Sequence, residues 1–282
     1  MIELAENRYG KSRVRLMKVT RHAHGNDLRE WTVQVLLRGD FASAHIDGDN
    51  SKILATDTMK NTVYSLARSS TAASMEEFAM ELIDFLLGRN PQVNSAEVQI
   101  ASTMWKRLTV DGEPHPDTFM RGSAELQTTR VERAQGGAFK IVSGLENMVV
   151  LKTAQSGFEG YIKESLTTLP ETKDRLFGTA VRAEWMYVPD KLDYDAVRAN
   201  IRETMLKTFA EHDSKSVQQT LYAMAESALT EVAEISEMEL AMPNKHCLLV
   251  DLSRFGQDNP NEIFVPIDEP HGYIEARVVR RS

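Results

Sequence analysis

Ala55-Thr56-Asp57-Thr58-Met59-Lys60-Asn61-Thr62 ends an apolar run and opens a helix-like stretch, and Ser214-Lys215-Ser216-Val217-Gln218-Gln219-Thr220 opens another in the second half of the chain. Both put open backbone N–H groups and hydroxyl-rich sequence at a helix start. The first four N–H groups of a helix have no internal partner and lie at the positive end of its dipole, so each start can hold a planar anion.

The flanking patterns repeat in the same order. Trp31, Val33, Val35 and Leu37 alternate with Thr32, Gln34 and Leu36, and Val14 and Leu16 alternate with Arg13 and Arg15. This spacing predicts half-buried strands around Arg13–Val19 and Arg29–Arg38. Helices follow near Thr58–Arg68 and Met75–Leu87, the latter opened by the capping box Ser74-Met75-Glu76-Glu77. Strands near Ser95–Leu108 and Thr118–Val131 close the first half. In the second half a hairpin near Phe139–Lys152 and a strand over Thr179–Tyr187 precede two helices. One carries the stripe Val197, Ile201, Met205, Phe209. The other starts at an N-cap on Ser214, with Val217, Leu221, Met224, Ala225 and Ala228 facing inward. The break at His212-Asp213 makes them an αα-hairpin. Strands over Ile235–Glu239 and Lys245–Leu252 follow. The reading is α+β: two similar units in tandem, 1–136 and 137–282, joined at Gln135-Gly136-Gly137, each an antiparallel sheet with a helix pair on one face. The uncovered sheet faces and open edges call for closure into a barrel or pairing between subunits, so an oligomer is expected.

Composition narrows the function classes. The 282 residues are 42% hydrophobic and 26% charged, with a formal net charge of −8. An acidic chain has no cationic excess with which to displace counterions, so a nucleic-acid backbone is not expected as the main partner. The single Cys247 excludes an internal disulfide and any cysteine-rich metal site. No apolar run is long enough to span a membrane. Without a secretory pattern at Met1–Lys11 or a peroxisomal tripeptide at Arg280-Arg281-Ser282, the expected location is the cytoplasm.

The polar candidates are individually ambiguous. Thr56-Asp57 reads as an N-cap. Lys11, after Tyr9-Gly10 and just before the first strand, reads as a surface lysine, and Lys60 and Asn61 as solvated. Arg175 either pairs with Asp174 or Glu171 or offers a planar fork to two acceptors of a heterocycle. Phe158, between Gly157 and Gly160, is either a core anchor or a ring that stacks on a flat ligand. Gln218 can read an amide-like edge, having both donor and acceptor. His246, after Asn244-Lys245, alternates with Leu248 and reads as a buried strand histidine. No Ser/His/Asp signature, phosphate loop, dinucleotide fingerprint or metal-binding histidine pair is present.

Several segments together resemble the urate oxidase (uricase) family: Asn7-Arg8-Tyr9-Gly10-Lys11, Ala55 to Thr62, Thr167-Thr168-Leu169, Asp174-Arg175, Lys207-Thr208-Phe209-Ala210-Glu211, Leu240-Ala241-Met242-Pro243-Asn244-Lys245-His246 and Gly256-Gln257-Asp258-Asn259-Pro260-Asn261-Glu262. They occur in the family's order over nearly the whole chain. The resemblance implies two tandem tunnelling-fold (T-fold) domains per chain and a homotetramer around a barrel-walled tunnel. It implies oxidation of urate by molecular oxygen and water to 5-hydroxyisourate and hydrogen peroxide, with no cofactor and no metal. Lys11, Thr56 and His246 match the catalytic proton relay. Arg175 and Gln218 match the urate clamp, Phe158 the stacking ring, and the backbone amides of Asp57 and Val217 further donors to the purine. Asn244 would face the oxygen or water site. In the family the relay and the clamp come from neighbouring subunits. The connection Tyr187–Asp193 is shorter than in some relatives. The competing readings are another T-fold enzyme acting on a purine or pterin, for which the acidic grip and zinc set common in that class are missing, and a non-catalytic urate-binding oligomer, which would need no relay.

Overall fold

The computed structural model describes residues 2–188 and 192–281. It divides into two compact units, Met1–Gly144 with Asp193–Asp195, and Leu145–Leu192 with Ala196–Ser282.

In the first unit β1 (Tyr9–His22), β2 (Gly25–Gly39), β3 (Val93–Val110) and β4 (Glu113–Ala134) form an antiparallel sheet in that order. A short α1 (Ala42–Ile46) and the longer α2 (Thr56–Ser69) and α3 (Met75–Arg89) intervene between β2 and β3. The period-2 stripe of β2 decides which face is covered. Trp31, Val33, Val35 and Leu37 are all buried, and they share a core with Met59 and Val63 of α2 and Phe78, Leu82 and Leu86 of α3. Full burial of each such side chain contributes roughly 1.5–3 kcal/mol. Helix α3 starts on Ser74, whose hydroxyl oxygen accepts from the Glu77 N–H at 3.1 Å. Glu77 reaches back one residue further than a standard box, to the Ala73 N–H at 2.6 Å.

One irregularity sets the face on which Lys11 lies. The β1–β2 register runs Tyr9↔Leu37 and Lys11↔Val35, then slips to Val14↔Val33 and Leu16↔Trp31. Two residues of β1, Ser12 and Arg13, stand opposite Gln34 alone, and Arg13 adopts φ 57°. This bulge lets Lys11 and Val14, which strict alternation would place on opposite faces, both share the helix-covered face with Val35 and Val33. Lys11 therefore lies inside the strand, not ahead of it.

In the second unit, β5 (Lys140–Lys152), on which the division falls, is followed by β6 (Phe177–Tyr187), α4 (Tyr194–Glu211), α5 (Val217–Glu231), β7 (Ile235–Ala241), β8 (Asn244–Leu249), β9 (Phe264–Gly272) and β10 (Glu275–Val279). Strands β5, β6, β7 and β10 are neighbours in that order, while β8 pairs with β6 and β9. Leu145, Phe177, Val181 and Trp185 of the sheet pack on Ile201, Met205 and Phe209 of α4 and on Leu221, Met224 and Ala228 of α5. The hairpin expected near Phe139–Lys152 is a single strand. Its one left-handed residue, Asn147 at φ 56°, irregularises the strand without reversing it. The Tyr187–Asp193 connection includes 189–191, which lie outside the described residues. No helix among the described residues is long and apolar enough to cross a membrane.

Candidate active site

In the first unit, α2 begins without the threonine cap expected from the sequence. The cap position is Ala55, which has no side-chain bond to offer, and Thr56 is the first helical residue. The carboxylate of Asp57 turns back along its own helix, accepting from Lys60 and, at 3.0 Å, from Asn61 Nδ2. The Lys60 bond, with smaller contributions from Asn61 and the nearby Lys11 charge, holds Asp57 below the usual carboxylate range. The first-turn N–H groups thus stay open, with a hydroxyl and a cation beside them. Among the described residues, neither the Thr56 hydroxyl nor the Lys11 ammonium has a hydrogen-bond partner.

Tyr9, two residues before Lys11, ties the strand to this helix start. Its hydroxyl donates to the Leu54 carbonyl at 3.1 Å and accepts from the Leu54 N–H at 2.9 Å. Its ring meets Phe41 edge-on with centroids 4.7 Å apart. Burial pushes the Tyr9 phenol up, against the opposing pull of the Leu54 bond. At Gly10 any Cβ would sit 1.8 Å from the Val35 carbonyl oxygen, so only glycine lets β1 and β2 approach so closely here.

In the second unit, Phe158 exchanges backbone hydrogen bonds with Thr172 at 2.7 and 3.2 Å. This pairing brings Arg175 over the Phe158 ring, with Cζ 5.3 Å from the centroid. Both acidic partners the sequence offered Arg175 are engaged elsewhere. Asp174 accepts from the Ser156 N–H at 3.2 Å, and Glu171 accepts from the Gly160 N–H at 2.9 Å and pairs with Lys163. Arg175 is left with no hydrogen bond or ion pair among the described residues, and its Nε is sealed from solvent. Burial pulls its guanidinium below the usual arginine value. Tyr161, which the sequence reading passed over, stacks on Phe158 at 4.9 Å with planes 12° apart. Its i+3 spacing from Phe158 in a glycine-flanked loop gave no periodic signal.

The Phe158 segment is also joined to the start of α5. Gly157 N–H donates to the Ser214 carbonyl at 2.8 Å, and Ser214 N–H to the Gln155 carbonyl at 3.0 Å. Ser214 is not the cap. It is fully buried, and its hydroxyl accepts from Thr220 Oγ1 at 2.8 Å. The cap is Ser216, whose oxygen accepts from the Gln219 N–H at 3.1 Å. Val217 is then the first helical residue, buried, with Gln218 exposed beside it. The Gln218 side chain has no partner among the described residues.

Asn244 and His246 lie on β8. The backbone of Asn244 is held on both sides, opposite Thr179 of β6 and Gly272 of β9, and His246 faces Ile267. Both are half-buried, and their side chains have no polar partner among the described residues. The neighbouring Lys245 is committed to Asp268 at 2.7 Å. No described contact joins these two side chains to Phe158, Arg175 or Gln218. The structure thus gathers Lys11, Thr56 and Asp57 in one unit, and Phe158, Arg175, Val217 and Gln218 in the other, with Asn244 and His246 on a strand of the latter. Among the described residues, no group of three or more His, Cys, Asp or Glu side chains is arranged to hold a metal ion.

A family model described as Uricase matches residues 7–132 and 141–275. The uricase of Arthrobacter globiformis is 41% identical over 281 residues, covering 100% of this chain and 91% of that protein. The uricase of Dictyostelium discoideum is 37% identical, covering 99% and 98%. The chain belongs to the uricase family. It is accordingly an oxidoreductase of the urate oxidase class. The crystal structure of the Arthrobacter globiformis uricase superposes with a TM-score of 0.93 over 99% of this chain and 96% of that one. A Bacillus fastidious uricase structure, 22% identical, shares the fold with a TM-score of 0.85 over 97% and 93%. The α+β architecture of antiparallel sheets with helix pairs is thus the tandem T-fold of uricases.

Proposed function

We propose that this uricase-family chain oxidises urate with O2 and water to 5-hydroxyisourate and hydrogen peroxide, without metal, flavin or haem. Two electrons leave the deprotonated purine and reduce O2 to peroxide, and the oxygen of water becomes the 5-hydroxyl. The protein's part is to position the reactants and to move protons. Arg175 and Gln218 clamp the edge of the urate anion, Phe158 stacks on its plane, and the Asp57 and Val217 N–H groups donate to it. Lys11 assists the Thr56 hydroxyl in taking the proton, His246 serves Lys11 or an ordered water, and Asn244 faces the oxygen or water site. The first T-fold domain runs over 1–136 and the second over 137–282. The protein works in the cytoplasm as a barrel-walled homotetramer in which relay and clamp of each site come from neighbouring subunits.

The observation that carries this reading is Arg175, a half-buried cation without an acceptor among the described residues, set against an aromatic ring. A guanidinium with a desolvated donor and no carboxylate is strongly destabilised unless a ligand supplies the acceptor. A planar anion that stacks on Phe158 answers both features. The test is urate, in air, with protein dialysed against chelator. The reading requires loss of the urate absorbance with one peroxide formed and one O2 consumed per urate. Turnover that appears only on restoring a metal, or urate loss without peroxide, would remove it.

A further inference from the structure

We infer that Tyr9 is a positioning residue for proton transfer, its hydroxyl fixing the spacing between Lys11 and Thr56. The inference rests on the relay reading above and extends it to a residue that touches neither substrate nor oxygen.

Lys11 and Thr56 belong to segments far apart in sequence, and both side chains lack internal hydrogen bonds among the described residues. Their separation must therefore be set by the backbones that carry them. Tyr9 is two residues before Lys11 on a strand, and so on the same face. Leu54 is two residues before Thr56. The phenolic hydroxyl bridges these points twice, accepting from the Leu54 N–H at 2.9 Å and donating to its carbonyl at 3.1 Å. Two bonds to one peptide residue resist pivoting as a single bond cannot. The hydroxyl is held by these two bonds, and its ring also packs edge-on against Phe41, a fully buried residue.

Among the described residues, no other side-chain hydrogen bond joins β1 to the start of α2. Ala55, the cap position, has no side-chain bond. Ile53 N–H is used locally, donating to the Asn50 carbonyl at 3.0 Å. On the strand side, the Gly10 backbone lies against Val35 and the bulge follows directly after Lys11. The strand is thus locked at Tyr9-Gly10 and irregular beyond Lys11, so the Tyr9 bridge is the last rigid point before the lysine. A misplacement of about 1 Å between proton-transfer groups can cost on the order of 100-fold in rate.

The experiment is steady-state kinetics and thermal unfolding on the assembled protein for Tyr9→Phe and Phe41→Leu, with Lys11→Met and Thr56→Ala in parallel. Tyr9→Phe keeps the ring on Phe41 and removes only the bridge. We expect kcat to fall between about 10- and 100-fold with KM within about twofold, because position and not binding is lost. Phe41→Leu loosens the same ring but leaves both Leu54 bonds available. It should lower the melting temperature while kcat per folded protomer holds. Unchanged kcat in Tyr9→Phe, alongside the expected losses in Lys11→Met and Thr56→Ala, would overturn the Tyr9 assignment alone. Equal loss of kcat in Phe41→Leu would reduce it to general stability. Full kcat in Lys11→Met and Thr56→Ala would remove the relay reading and this inference with it.

Discussion

Helix α5 starts on Ser216, which takes up the Gln219 N–H at 3.1 Å, while Gln219 in turn accepts from Lys215 N–H at 2.8 Å. Helix α2 starts on Ala55, with no side-chain acceptor at all. Beneath α5, Ser214 and Thr220 share a buried hydrogen bond of 2.8 Å. Beneath α2, the fixing contact comes from outside, through Tyr9. A serine cap is typically worth about 1 kcal/mol, so α2 forgoes a readily available stabilisation. Helix α5 spends a serine on its start and leaves Gln218 exposed. Helix α2 leaves its start without a side-chain cap and the Thr56 hydroxyl without a partner among the described residues. Two helix starts that look alike in sequence differ in whether a side-chain cap takes up a first-turn N–H.

The sharpest way to test this contrast is to remove the open groups. Thr56→Ala and Lys11→Met should lower kcat by about 100- to 10,000-fold, the usual contribution of general acid–base groups, with urate KM nearly kept. Arg175→Gln should act in the opposite sense. Loss of a charge-assisted bond worth about 1.5–3 kcal/mol raises KM roughly 10- to 100-fold and lowers kcat less. Exchanging the caps tests the comparison itself. Ser216→Ala should destabilise by about 1 kcal/mol in denaturant unfolding, and Ala55→Ser should stabilise by up to a similar amount. If the α2 N–H groups serve the substrate, Ala55→Ser should also raise KM, since its hydroxyl competes for them. A cap that stabilises with KM unchanged would show that these amides are not used.

The smallest effect concerns Asp57. Its carboxyl is held low, first by Lys60, so the stability it contributes is present above the unfolded aspartate pKa near 4 and is lost as pH falls through its lower folded value. Asp57→Asn should therefore flatten the pH dependence of the unfolding midpoint below about pH 4 and leave its slope unchanged at higher pH. An altered slope between pH 6 and 8 would contradict the assignment.

The elements legible in the sequence are those with a wet face and a dry one. The β2 stripe from Trp31 to Leu37 and the α4 stripe from Val197 to Phe209 are buried as their periods require. β9 is not legible, because residues 264–272 are mostly exposed, carry Pro266 and Pro270, and among the described residues pair with β8 alone. The bulge after Lys11 was hidden because Val14 and Leu16 alternate correctly on their own, and the slip lies in the two residues before them. The N-cap of α5 lies two residues after the expected Ser214, because Ser214 and Ser216 are chemically equal. Only the tertiary Gln155–Ser214 and Thr220–Ser214 bonds bury the first and leave the second to cap. The site residues were individually ambiguous, and the family resemblance selected them. What sequence could not supply is the accounting of partners. Asp174 and Glu171 both stood beside Arg175, and folding spends each on a backbone N–H.

The central claim is that a urate anion is held by the Arg175 side of one chain while the Thr56 side of another takes its proton. Co-assembly of Thr56→Ala chains with Arg175→Gln chains tests it directly, with turnover measured at urate concentrations far below the Arg175→Gln KM. If each site draws on two symmetric subunits, random mixing restores about a quarter of the sites to full composition, and activity rises well above either variant alone. Activity that stays at the average of the two separate variants would contradict the account.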